Sequence, residues 1–75
     1  MSVYDLKSGE RAQITAVNVS GGALTRLNSL GICTGKQVTA LCFSLFKSSI
    51  LISCGGVRLG LRKAIAKNIE VALCA

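Results

Sequence analysis

The chain has 75 residues, 51% of them apolar, and nine Lys or Arg against three Asp or Glu, a formal charge of +6. That length allows one domain, residues 1–75, which buries only about 60% of its unfolded surface and leaves little room for an elaborate active site. The apolar content argues against a disordered chain, and the longest run of strong apolars, Ile50-Leu51-Ile52, is far short of the roughly 20 residues of a membrane helix. The start, Met1-Ser2-Val3-Tyr4-Asp5, has no basic region followed by an apolar one, so no signal peptide is visible and the expected compartment is the cytoplasm.

Asp5 to Glu10 reads as an entry turn with Leu6 tucked inward. The first predicted strand is Ala12 to Val19. Its apolar phase runs Ala12, Ile14, Ala16 and then slips to Val17 and Val19, as in a bulged or sharply coiled strand. Ser20-Gly21-Gly22 ends it and starts a helix over Ala23–Leu30, in which Leu24, Leu27 and Leu30 recur at helical spacing. Gly31 stands where a left-handed C-terminal cap is wanted. Gly35 then opens a second strand, Val38–Phe43.

Ser44–Ser49 is a connecting loop with Leu45 and Phe46 at its tip. Ile50–Cys54 and Val57–Leu61 are the third and fourth strands, joined by Gly55-Gly56, a two-residue hairpin signal because both positions accept positive φ. That turn sets a register: Cys54 opposite Val57, Ile52 opposite Leu59 and Ile50 opposite Leu61, all six on one buried face. Leu51 and Gly60, and Ser53 and Arg58, pair on the other face. Arg62–Asn68 reads as one or two helical turns with Ile65 and Ile69 inward. Ile69, Val71 and Leu73 alternate as a closing strand. The expected fold is mainly β: a small barrel of about five strands with one or two short helices, closing its own edges.

The positive charge favours acidic partners, but it is dispersed, with only Arg58, Arg62, Lys63 and Lys67 loosely grouped. Aromatics are confined to Tyr4, Phe43 and Phe46, too few for a base-stacking surface. Cys33, Cys42, Cys54 and Cys74 make no C-x-x-C pair and the chain has no histidine, so neither a structural zinc site nor an iron site is expected. The cysteines read as free thiols. Cys42 and Cys54 fall inside strands as small apolar side chains, and Cys33, between two turns, is the exception among the four. A nucleophile has no base to activate it, Asp5, Glu10 and Glu70 are scattered, and the glycine pairs lack a phosphate-loop pattern. No enzyme and no cofactor are expected.

The segment Arg26-Leu27-Asn28-Ser29-Leu30-Gly31-Ile32-Cys33-Thr34-Gly35, R-L-x-x-L-G-I-x-x-G, resembles the hallmark of the ferrous iron transport protein A family, FeoA. Leu6 and Gly9 resemble its opening L-x-x-G, Ile14 its first core strand, Val38 the end of the central motif, and Ile50 and Ile52 its third strand. Leu59, Leu61, Arg62, Ala66, Ile69 and Val71 fit its ending, L-x-L-R-x-x-x-A-x-x-I-x-V. The chain departs from the family at Thr34, where Pro is frequent, and at Leu45–Ser49, where P-x-G-x-P is usual. Losing those prolines makes the loop less rigid.

The resemblance implies a small SH3-like barrel that binds and modulates the cytoplasmic GTPase-containing region of a membrane Fe(II) transporter. The protein would lie at the inner face of the cell membrane through that partner only, with homodimerisation left open. The residues implied in partner contact are Arg26, Asn28, Thr34, Leu45, Phe46, Lys47 and Arg62. For Arg26 the competing reading is a solvated helix face, for Arg62 the capping of local carbonyls, and for Leu45 and Phe46 a fold-down over an open barrel end. Two other functions stand beside this one. The first is a basic nucleic-acid-binding barrel, whose affinity falls steeply with salt. The second is a free-standing SH3-like regulatory domain of the metal-dependent repressor type.

Overall fold

The computed structural model describes residues 1–74. The strands are β1 (Arg11–Val17), β2 (Gln37–Phe43), β3 (Ser49–Cys54), β4 (Val57–Arg62) and β5 (Ile69–Leu73). The helices are α1 (Gly21–Ser29), between β1 and β2, and the four-residue α2 (Lys63–Ala66), between β4 and β5. Short 3-10 turns occur at Val3–Asp5 and Leu45–Lys47. All strands are antiparallel, in the order β4-β3-β2-β1-β5. This is the small SH3-like barrel expected of the sequence.

The hairpin forms in the register that its turn dictates. Gly55 and Gly56 have φ of 58° and 83°, and Cys54–Val57, Ile52–Leu59 and Ile50–Leu61 pair. The face is buried on β3 but only partly on β4. Ile50 and Ile52 are inaccessible and Leu59 is half-buried, whereas Val57 is 40% exposed, contrary to the uniform burial expected. The reason is position: β4 is a terminal strand, and its turn end has no further strand to cover it.

Two bulges bend the sheet. Between β1 and β5 the register shifts at Thr15, from Ile14–Val71 to Ala16–Glu70. The slip therefore falls before Ala16 rather than after it, and β1 ends at Val17, with Val19 packed against the core beyond the strand. Between β2 and β3 the shift falls at Leu41, from Ala40–Ile52 to Cys42–Leu51. That extra residue reverses the alternation, so Phe43 turns to the core side and Cys42 is exposed. Cys42 is thus not the interior thiol that simple strand alternation implies. Cys54 is, at 4% exposure, while Cys33 and Cys74 are intermediate.

Leu6, Ile14, Ile32, Ile50, Ile52 and Ile69 are the largest fully buried side chains. Each contributes about 1.5–3 kcal/mol by leaving water. Gly31 ends α1 with φ of 84°, and Ile32 N–H returns to Leu27 O at 2.9 Å, which carries Ile32 into the core. Helix α1 begins at Gly21, two residues before the expected start at Ala23, and buries only Leu27. Helix α2 is shorter than the expected Arg62–Asn68. Its end is closed by Asn68, whose side-chain amide donates to Ala64 O at 2.9 Å.

The two margins of the sheet differ. The N-terminus lies along β5: Val71 N–H donates to Met1 O at 2.8 Å, Ser2 bridges Glu70, and the Met1 ammonium is 3.4 Å from the Glu70 carboxylate. No strand or terminal segment covers β4 in this way among the described residues. The sheet therefore does not close both of its edges, as the sequence pattern suggests it should.

Candidate binding surface

Helix α1 and the β4–α2 corner face each other across a groove of about 610 Å³. Leu27 from α1, Leu30 just after it, Leu59 and Leu61 from β4, and Ile65 from α2 give it apolar walls; Arg26 and Arg62 also line it. Their positions follow from local structure. Arg26 precedes buried Leu27 on α1 and is exposed. Arg62 follows buried Leu61 at the end of β4 and is exposed in turn. Arg62 occupies the N-cap position of α2, without a side-chain capping bond. Neither guanidinium forms an ion pair among the described residues. Two positive groups beside a half-buried apolar trough suit a partner segment that carries both apolar and acidic side chains.

The other implied contact residues lie apart from this groove. Asn28 is exposed near the end of α1, its carbonyl accepting the Gly31 N–H at 3.1 Å, and Thr34 is exposed in the following turn. Leu45 and Phe46 do not fold over the barrel: they are 81% and 93% exposed. Phe46 and Lys47 are both left-handed, with φ of 63° and 55°, a strain of about 1–2 kcal/mol each for a residue with a side chain. Ser44 holds the loop in that shape. Its carbonyl accepts the Lys47 N–H at 2.9 Å, its hydroxyl oxygen accepts the Ser49 N–H at 2.9 Å, and Ser48 Oγ lies 3.0 Å away.

Tyr4 anchors this loop, a role with no local signal in the sequence. Its hydroxyl donates to Lys47 O at 2.7 Å, and its ring meets Phe43 edge-on at 5.4 Å. The ammonium groups of Lys63 and Lys67 each lie 5.6 Å from the Tyr4 ring centre, and that of Lys47 lies 5.3 Å from Phe43. Two of the three aromatics thus organise a basic patch that joins the Leu45–Lys47 tip to α2.

Two titrating groups are displaced from their ordinary values. Ser2 N–H donates to Asp5 Oδ2 at 2.8 Å and holds that carboxyl below its usual range. Burial pushes the Cys54 thiol up, and its Sγ lies 3.9 Å from Gly31 O, to which the S–H donates. Among the described residues, no three His, Cys, Asp or Glu side chains cluster as a metal site.

Five antiparallel strands with two short helices define the class as a small SH3-like domain. A sequence profile of the FeoA domain matches residues 1–73, and the chain belongs to the FeoA family. No curated protein sequence matches it. The solution structure of the Chlorobium tepidum FeoA protein is 32% identical, covering 100% of this chain and 71% of that one, with a TM-score of 0.94. Iron(II) transport protein A from Clostridium thermocellum is 27% identical, covering 97% of this chain and 45% of that one, at 0.91. The zinc complex of Stenotrophomonas maltophilia FeoA, described as a prokaryotic SH3 domain protein, is 24% identical. It covers 96% of this chain and 89% of that one, at 0.82, and shows the fold alone. The family consists of small accessory proteins rather than a class of enzymes, and membership supports a role in ferrous iron transport.

Proposed function

We propose that this protein binds the cytoplasmic GTPase-containing region of a ferrous iron transporter and modulates it, held at the inner face of the membrane by that contact. The observation that carries the reading is the groove between α1 and the β4–α2 corner, which gathers Arg26 and Arg62 from distant parts of the sequence. Arg26 belongs to the central motif shared with the family and Arg62 to its ending. No helix of the described residues is long and apolar enough to cross a membrane, so contact with a membrane transporter runs through protein surface. The exposed Leu45–Phe46 tip and its basic surround give a second contact region on the same small domain.

The test is an amide NMR titration of the labelled protein with the transporter's cytoplasmic GTPase domain, run beside an oligonucleotide. The expected result is saturable shifts within Arg26–Gly35, at Arg62 and at Leu45–Lys47 with the GTPase domain alone. Shifts at Arg58, Arg62, Lys63 and Lys67 with the oligonucleotide, fading as salt rises, would replace this reading with a nucleic-acid one.

A further inference from the structure

We infer that the open margin of β4 takes up an extended acidic segment of the partner as a sixth strand, with apolar side chains on the groove walls and carboxylates beside Arg58 and Arg62. The inference deepens the transporter reading and rests on it for the partner's identity, though not for the partner's chemistry. It begins with the direction of backbone groups. A two-residue turn makes Cys54 and Val57 a hydrogen-bonded pair, and such pairs recur at every second residue of an antiparallel ladder. Val57, Leu59 and Leu61 therefore bond to β3. The same phase continues past the strand, where Lys63 N–H donates to Ser48 O at 3.0 Å.

Arg58 and Gly60 must then turn both N–H and C=O away from β3, and Arg62 its N–H. None of these groups has a hydrogen-bond partner elsewhere among the described residues. They form a ladder edge that can accept another strand. At its centre, Gly60 has no atom within 4 Å of the place a Cβ would occupy, so no neighbouring group crowds that face of the strand beside the edge. The opposite margin of the sheet is already occupied by Met1 and Ser2.

The chemistry of the occupant follows from the two sides of the edge. An added strand presents alternate side chains to opposite faces. One set meets Leu27, Leu30, Leu59 and Ile65 in the groove; the other passes Arg58 and Arg62. A second copy of this chain fits poorly, because each copy carries +6 and pairing β4 with β4 brings arginines from both edges together. A segment alternating apolar and acidic residues satisfies the free backbone groups, the trough and the guanidinium groups at once.

The experiment titrates the full labelled chain with a short capped peptide alternating Glu and Val, and with the same peptide N-methylated at every second residue, so that the amides of one edge are blocked. The expected result is saturable shifts centred on the Arg58, Gly60 and Arg62 amides. One-edge N-methylation weakens binding about tenfold, the worth of one or two lost hydrogen bonds. The Arg58→Glu/Arg62→Glu double variant weakens it by at least as much, while its spectrum elsewhere stays that of the folded protein. Equal binding of the methylated peptide, absence of binding at millimolar concentration, or shifts that avoid Arg58 and Gly60 would each overturn the sixth strand. So would concentration-dependent shifts at those amides without peptide, which would assign the edge to a second copy. The GTPase domain is titrated in parallel. If it binds and leaves the Arg58 and Gly60 amides unmoved, the strand proposal falls and the transporter reading stands. If the peptide binds the edge and the domain binds nowhere, the transporter reading falls and the edge assignment stands.

Discussion

At the scale of single residues, left-handed backbone has two different uses here. Gly31, with φ of 84°, ends α1 and redirects Ile32 into the core. Gly31→Val places a β-branched side chain in that conformation and should cost about 1–2 kcal/mol, read as a lower urea midpoint. Phe46 holds a similar φ of 63° while 93% exposed, so its side chain contributes little to the fold. Phe46→Ala should leave the unfolding free energy within about 0.5 kcal/mol, and Phe46→Gly should raise it by about 1 kcal/mol through relief of strain. Both should weaken binding of the transporter's cytoplasmic domain. If Phe46→Ala unfolds the protein, the loop is structural and its docking role fails. Asp5 adds a pH dependence. Its folded pKa lies below the unfolded value near 3.8, chiefly because it accepts the Ser2 N–H. The stability it contributes is fully present above that value and is lost as pH falls through the folded one. Chemical denaturation from pH 5 to pH 2 should show a decline that Asp5→Asn makes shallower.

At the scale of elements, the sequence is most legible where geometry is local. The β3–β4 register could be read because turn and alternation lie within thirteen residues, from Ile50 to Arg62, and agree with one another. The Gly31 cap could be read for the same reason. The bulge at Leu41 could not, since it depends on how β2 meets β3 across a connecting loop, and it turns Cys42 outward. This difference has a direct chemical readout. Under native conditions iodoacetamide should modify Cys42 first and Cys54 last, because Cys54 is buried and its thiolate is disfavoured. Peptide mass mapping over time checks the order, and labelling of Cys42 as slow as that of Cys54 would contradict the placement of the bulge. The groove was legible only in part. Arg26 and Arg62 carry the family pattern, but their meeting across one trough is a product of tertiary structure, as is the Tyr4 anchor of the Leu45–Lys47 loop.

At the scale of the whole molecule, the charge of +6 is spread over a body with a radius of gyration of 10.9 Å. Like charges so close repel one another, and added salt screens them within about 8 Å at physiological ionic strength. Calorimetry should therefore find Tm rising as salt is added from near zero, in a single transition because one core serves the whole domain. A falling Tm would mean that attractive pairs outweigh the repulsion. The β1–β5 pairing joins residues near both ends of the sequence, so truncating β5 should unfold the chain rather than trim it.

The unequal margins of the sheet also fix how many molecules can associate through them. A sheet open on both sides can add strands without limit, which is the route to fibres. Here Met1 and Ser2 already pair with Val71 and Glu70 of β5, whereas β4 has no such cover among the described residues. Addition at β4 consumes the only available edge among the described residues, so growth stops after one step. A partner segment gives a complex of one to one, and a second copy would give a closed dimer. The protein can be concentrated without seeding a polymer of itself through this sheet.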